Sequence, residues 1–371
     1  CGEAATDNYA LRITHYALKK PHKMQFTSKR SCNPFAIMLY LFRIKNKGAA
    51  AMANIKKILK GAGIAAAATA GAYLTSGAVI YEGALSRWGY INMKPDEILN
   101  EDYNMQKYLN NEYFRRADDW YIASAPTETK LINVKGETLV AEVIRQPEES
   151  HLWAVVCHGY SSRPRCMAKQ AMGFYEDGYN CLFPYMRGHR KSAQNHCSMG
   201  YYERYDVISW INYIVSIDPE CQIVLIGESM GAATTMLVTG EELPENVKCA
   251  IEDCGFTNAM DQFAGQIGNV LHLPKFPFLN AANTYAKLFY GWDFRNCSPV
   301  DAVAHSKTPT LFLHGENDTF VPYDMMSILY DACAAEKDII SIPDAEHAEA
   351  CDVHPELYWP KVREFVAKYV K

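Results

Sequence analysis

The chain has 371 residues, 49% of them apolar and 21% charged, with a net charge of −5, an ordinary globular composition with room for one large α/β domain and additions. The charge is uneven: residues 1–60 carry twelve Lys and Arg against two acids, which leaves the rest of the chain near −15. So acidic a main body argues against nucleic acid as its partner.

Residues 1–51 open on Cys1 and show no clear periodicity, apart from the short apolar run Phe35–Phe42. They read as a basic N-terminal extension, disordered or upstream of a native start at Met52. Residues 52–82 join a basic segment, "ANIKKILK", to the uncharged stretch "GAGIAAAATAGAYLTSGAVIY", Gly61–Tyr81. That length suits a membrane-spanning helix. Lys56, Lys57 and Lys60 on its N-terminal side predict that this end stays cytoplasmic. The expectation is a single-pass signal anchor with an extracytoplasmic catalytic domain. A cleaved signal peptide or a soluble Ala-rich helix in a cytoplasmic protein are the alternatives. The twelve cysteines include no C-x-x-C pair and fit an exported domain awkwardly.

Residues 83–134, polar with apolar residues at helical spacing, predict a helical connector. From residue 135 the texture changes. "ETLVAEVIR", "LWAVVCHGY", "CLFPY", "IVLIGE", "VKCAIEDC", "TPTLFLHG" and "DIISIP" read as strands, and helical stretches alternate with them. Strands alternating with helices mean a mostly parallel sheet covered on both faces. Residues 256–300, rich in Phe, Leu and Tyr with interspersed prolines, are too long for an ordinary connection. They read as a small helical cap over the site, or else as a helical excursion packed on the side of the domain.

The chemistry centres on "IVLIGESMGAA", Ile223–Ala233. G-x-S-x-G alone is a weak signal, but here an apolar strand precedes it and a small-residue helix follows, the context a nucleophile on a tight turn requires. Gly227 and Gly231 let the chain double back around Ser229. A nucleophilic serine needs a base, an orienting acid and donors for the oxyanion. Among eleven histidines, His347 falls in "PDAEHAEA", after the last strand and before the final helix, beside the strand ends where ligands bind. His158 and His314 end strands as His-Gly and read as turn-shaping, and His189 in Arg-Gly-His reads as structural. The acid is Asp318 in "HGENDTFVP" or Asp253 in "IEDCGF", with Asp318 favoured because its loop leaves a free carboxylate. The backbone N–H groups of Met230 and Tyr160 are the expected oxyanion donors.

The ordered set "HGYSS", "RGHRKS", "GESMGA", "HGENDTFVP" and "AEHAEA" resembles the α/β-hydrolase family, in particular bacterial membrane-anchored hydrolases of the serine esterase and aminopeptidase-like group. The resemblance covers about residues 135–371. It implies an eight-stranded sheet, a Ser229–Asp318–His347 triad and no cofactor. One departure is "MRGHRKS", where Met186 and Arg190 replace the Asp and Gly that related sequences often carry.

The aromatic cap, with no evident acidic or basic selector, favours hydrolysis of short to medium acyl esters. Aminopeptidase or acyltransferase chemistry on the same triad is the alternative. A non-catalytic binding protein on the same fold would usually lack a triad member. A metal hydrolase using Glu346, His347, Cys351 and His354 lacks a second ligand group, so no metal is expected.

Overall fold

The computed structural model describes residues 34–89, 111–269 and 272–371, and of residues 34–51 and 55 the backbone alone. The sequence expectations for residues 1–33 and 90–110 lie outside the described residues. The chain divides into two units, residues 1–68 and 69–371.

Helix α1 spans Pro34–Leu85. It begins within the segment read above as disordered or upstream of a native start, and the backbone of residues 34–51 is helical. From Met52 to Leu85 it is long and apolar enough, by length and composition, to cross a membrane. Residues 56–72 are exposed, and from Tyr73 onward one side is covered. Tyr81 and Leu85, 1% and 3% exposed, belong to the core of the second unit.

In the second unit, α2 (Glu112–Ala123) starts at Asn111, whose side chain accepts from Phe114 N, a regular N-cap. Strand β1 (Thr127–Ile132) follows, so the connector 83–134 is not helical throughout. "TETKLI" has no strong apolar face because it is a sheet-edge strand, exposed at most positions. It forms a hairpin with β2 (Thr138–Ile144) through a turn in which the Asn133 side chain accepts from Lys135 N and Glu137 N. Then come β3 (Leu152–Cys157), a 3₁₀ turn and α3 (Ala168–Glu176), β4 (Asn180–Pro184), α4 (Glu203–Ile217), β5 (Gln222–Glu228), α5 (Met230–Thr239) and β6 (Val247–Asp253). The chain continues through α6 (Ala259–Asn269), α7 (Lys275–Tyr285) with a π turn to Tyr290, α8 (Pro299–Val303), β7 (Thr310–Gly315), α9 (Asp324–Ala332), β8 (Lys337–Ile342), α10 (Ala350–Val353) and α11 (Pro355–Val366).

The eight strands form one sheet in the order β1-β2-β4-β3-β5-β6-β7-β8. The first two pairings are antiparallel and the rest parallel. Successive side chains of a strand face opposite sides, and the core divides accordingly. Trp153, Val155, Cys157, Ile223 and Leu225 pack on one face with Val207, Trp210, Ile211 and Ile214 of α4, apolar residues at helical spacing. Ala154, Val156, Val224 and Ile226 pack on the other with α2, α3 and α11, through Tyr121, Phe174 and Trp359. With both faces covered, the carboxyl ends of the parallel strands are free to carry loops.

The segment 256–300 supplies α6, α7 and the π turn, and its Phe294 and Trp292 are buried with Tyr81. Tyr81 lies among aromatic rings: Tyr290 at 4.6 Å, Tyr285 at 5.7 Å, Phe294 at 6.3 Å and Trp292 at 6.4 Å between centroids. Trp292 Nε1 donates to Tyr81 Oη at 3.0 Å. Past the helix, Arg87 donates to the carbonyls of Gly188, Ser192 and Gln194, and Cys197 N donates to Leu85 O at 2.8 Å.

Candidate active site

Strand β5 runs straight into Ser229, whose φ of 56° and ψ of −116° lie outside the helical and extended regions. Such a backbone persists in a non-glycine residue only where the surroundings over-determine it. Two glycines make the turn possible. A Cβ on Gly227 would lie 2.1 Å from Gly231 O, and one on Gly231 would lie 2.0 Å from Cys157 O. Ser229 N donates to Asp253 O at 2.8 Å, and Ser229 O accepts from Ala233 N, opening α5.

Ser229 is 9% exposed, and its Oγ lies 2.9 Å from His347 Nε2. His347 Nδ1 lies 2.7 Å from Asp318 Oδ2. Three side chains 29 and 118 residues apart along the chain thus form one hydrogen-bonded line. Phe320 covers the imidazole, ring centroids 4.8 Å apart.

Asp318 is buried and fully engaged. Its Oδ1 accepts from Phe320 N and Val321 N, both at 2.9 Å. His314 Nε2 donates to Oδ2 at 3.1 Å. Burial alone would raise its pKa, but the hydrogen bonds from His314 and His347 outweigh that and depress it to about 2, so the carboxylate is ionised at neutral pH. His314 therefore does more than shape the strand end.

Asp253 does not reach His347. Its Oδ2 accepts from Tyr358 Oη at 3.0 Å, and burial pushes its pKa up to about 6. His158 and His189 hold turns as neutral imidazoles: Met186 N donates to His158 Nε2 at 3.1 Å and Ser161 N to His189 Nε2 at 2.9 Å. Burial lowers their pKa values to about 3 and about 4.

The loop after β3 lies against the serine. A Cβ on Gly159 would sit 3.3 Å from Glu228 O and 3.4 Å from Ser229 Cβ. Tyr160 follows directly on Gly159, and Met230 is the first residue of α5. The Tyr160 hydroxyl donates to Ala84 O of α1. Cys197 Sγ touches Met230 Sδ at 3.3 Å and also lines a cavity of about 360 Å³ with Tyr81, Arg187, His196, Tyr290 and Trp292. That cavity does not include Ser229, Asp318 or His347.

Glu346, His347, Cys351 and His354 do not converge as a ligand group: His354 Nδ1 pairs with Glu356 at 2.8 Å, and Cys351 Sγ faces Lys169 O at 3.6 Å. Among the described residues, the set with metal-ligating atoms within 4.8 Å of one another is Cys254, Asp318 and His347. The cysteines among the described residues are unpaired and mostly buried.

A family model for serine aminopeptidase, S33, matches residues 148–292, a stretch that holds Ser229 but stops short of Asp318 and His347. YqkD of Bacillus subtilis is 28% identical over 225 residues, 59% of this chain and 72% of the relative. WAV2 of Arabidopsis thaliana, an alpha/beta hydrolase domain-containing protein, is 29% identical over 152 residues, 40% of this chain and 47% of the relative. An esterase of Pyrococcus furiosus superposes with a TM-score of 0.54 at 20% identity, over 66% of this chain and 92% of the esterase. Est1E from Butyrivibrio proteoclasticus, solved with ferulic acid bound, does so with a TM-score of 0.53 at 21% identity, over 65% of this chain and 99% of Est1E. At such identities the superpositions speak for the fold. The sheet order, the strand–turn–helix at Ser229 and the superpositions give this chain the α/β-hydrolase fold, and residues 148–292 are similar to the serine aminopeptidase, S33, family.

Proposed function

We propose that the protein is a serine hydrolase that cleaves carboxylic esters of short to medium acyl chains through an acyl-enzyme. The observation that carries this reading is the line Asp318–His347–Ser229, at 2.7 and 2.9 Å. In this orientation His347 Nδ1–H donates to the Asp318 carboxylate, which leaves Nε2 free to accept the serine proton. Ser229 Oγ attacks the acyl carbonyl carbon while Nε2 takes that proton. The carbonyl oxygen becomes an oxyanion facing the N–H groups of Met230 and Tyr160, with the N-terminus of α5 adding a favourable dipole. The intermediate collapses as the imidazolium returns the proton to the leaving alcohol, and water then releases the acid by the same route. No cofactor enters these steps.

The aromatic character of residues 256–300 and the esterases among the structural neighbours support an ester substrate. The serine aminopeptidase family model supports peptide hydrolysis as the second reading. Parallel assays on p-nitrophenyl acyl esters and aminoacyl anilides separate the two readings. Faster turnover of the anilides would overturn the first. Fluorophosphonate labelling followed by peptide mapping is expected to place the adduct on Ser229; an adduct elsewhere, or none, would sink the triad itself.

The apolar run of α1 supports a membrane tether, and Lys56, Lys57 and Lys60 on its N-terminal side support a hydrolase outside the cytoplasm. Alkaline carbonate extraction and protease protection of intact cells test it. Release into the supernatant, or full protection from added protease, would count against that placement.

A further inference from the structure

Lys169, at the start of α3, is 4% exposed. A buried ammonium is costly unless it is well paired, and this one has partners on three separate elements. It donates to the carbonyl oxygen of Ala348, the residue after His347. Its Nζ lies 2.9 Å from Oε2 of Glu228, the residue before Ser229. Asp352 Oδ2, in the short helix that follows the His347 loop, lies 3.3 Å away. Gln170 Nε2 donates to the same Glu228 oxygen at 2.8 Å. Both places that Lys169 joins carry strained backbone, φ 56° at Ser229 and φ 63° at Ala348. Burial would favour loss of the proton, but Asp352 and Glu228 hold the Lys169 pKa well above its ordinary value, so the charge persists.

We propose that Lys169 is a positioning residue for the triad: its ammonium ties the nucleophile turn to the His347 loop and so holds Nε2 and Oγ at reacting distance. The inference rests on reading Ser229 and His347 as nucleophile and base. Lys169 touches no reacting atom; it acts through the residue before one and the residue after the other. The third N–H of the ammonium goes to the Ala348 carbonyl, and this is the bond that reaches the His347 loop itself.

Lys169→Met alone strands two buried carboxylates and risks unfolding. The deciding variant is therefore Lys169→Met with Glu228→Gln and Asp352→Asn, which removes charge of both signs and keeps the volume. Its melting temperature is expected to stay near that of the wild type. Its kcat on a p-nitrophenyl ester and its rate of fluorophosphonate labelling are expected to fall about 10²-fold, the scale of a 1 Å misplacement, with KM within about twofold. A folded triple variant with wild-type kcat and labelling rate overturns the proposal, because Lys169 would then only balance charge. Should that variant not fold, Lys169→Arg, which keeps the charge but moves the donors, replaces it with the same two outcomes. Wild-type protein that labels at a site other than Ser229, or not at all, would instead refute the triad on which this inference stands.

Discussion

Asp318 shows how much of the site one carboxylate organises. Two backbone N–H groups hold one oxygen, and two imidazoles hold the other. Asp318→Asn is expected to lower kcat about 10⁴-fold through loss of the correct imidazole tautomer. Asp253→Asn, whose carboxylate faces Tyr358 rather than His347, is expected to stay within about tenfold of wild type if it folds. Equal losses in two folded variants would contradict the assignment. The same carboxylate sets an acid dependence. Its pKa is depressed in the fold, to about 2, so its stabilisation is present above the unfolded value and drains away as pH falls from about 4 towards 2. Wild type should lose about 2 kcal/mol more than Asp318→Asn across that window, read from chemical denaturation curves. The residues in this line are legible in the sequence because each follows an apolar run or sits in a short loop between recognisable elements. His314 and Lys169 are not. One is hidden in a strand ending, and the other sits in a helix whose partners are 59 to 183 residues away, a distance local pattern does not span.

At the scale of elements, two turns depend on imidazoles kept neutral by burial. His158 accepts from the loop after β4, and His189 accepts from the loop after β3, so each turn is held by the other's histidine. Their pKa values fall to about 3 and about 4 in the fold, below the unfolded value near 6.5. The unfolded chain therefore takes up protons first, and stability falls as pH drops from about 6.5 towards 4. Each histidine is expected to contribute up to about 1.4 kcal/mol per pH unit in that window. Folded His189→Gln should show a shallower slope than wild type; an unchanged slope would mean that His189 is already charged. The buried strands are readable from their apolar runs, because a sheet covered on both faces needs no polar side. The hairpin partner β1 escapes that logic. It lies at the sheet edge, is exposed at most positions, and its helix-like composition conceals an extended backbone that the β2 ladder imposes.

At the scale of the molecule, the end of α1 is part of the hydrolase unit rather than a leash attached to it. Apolar composition alone reads the whole stretch to Tyr81 as membrane. The structure gives its last three turns to the protein core, since a ring of aromatic side chains closes on Tyr81 and a row of loop carbonyls takes up Arg87. This has a practical side for anyone producing a shortened form of the protein. A cut placed just past the greasy stretch, the customary choice, would pull a stopper out of its socket. A chain starting at Thr69 should melt within a few degrees of the full-length protein, whereas one starting at residue 90 should melt about 10 °C lower or aggregate on expression, given about 1.5–3 kcal/mol for each large side chain withdrawn. Equal melting points for the two truncations would show that the stopper is dispensable.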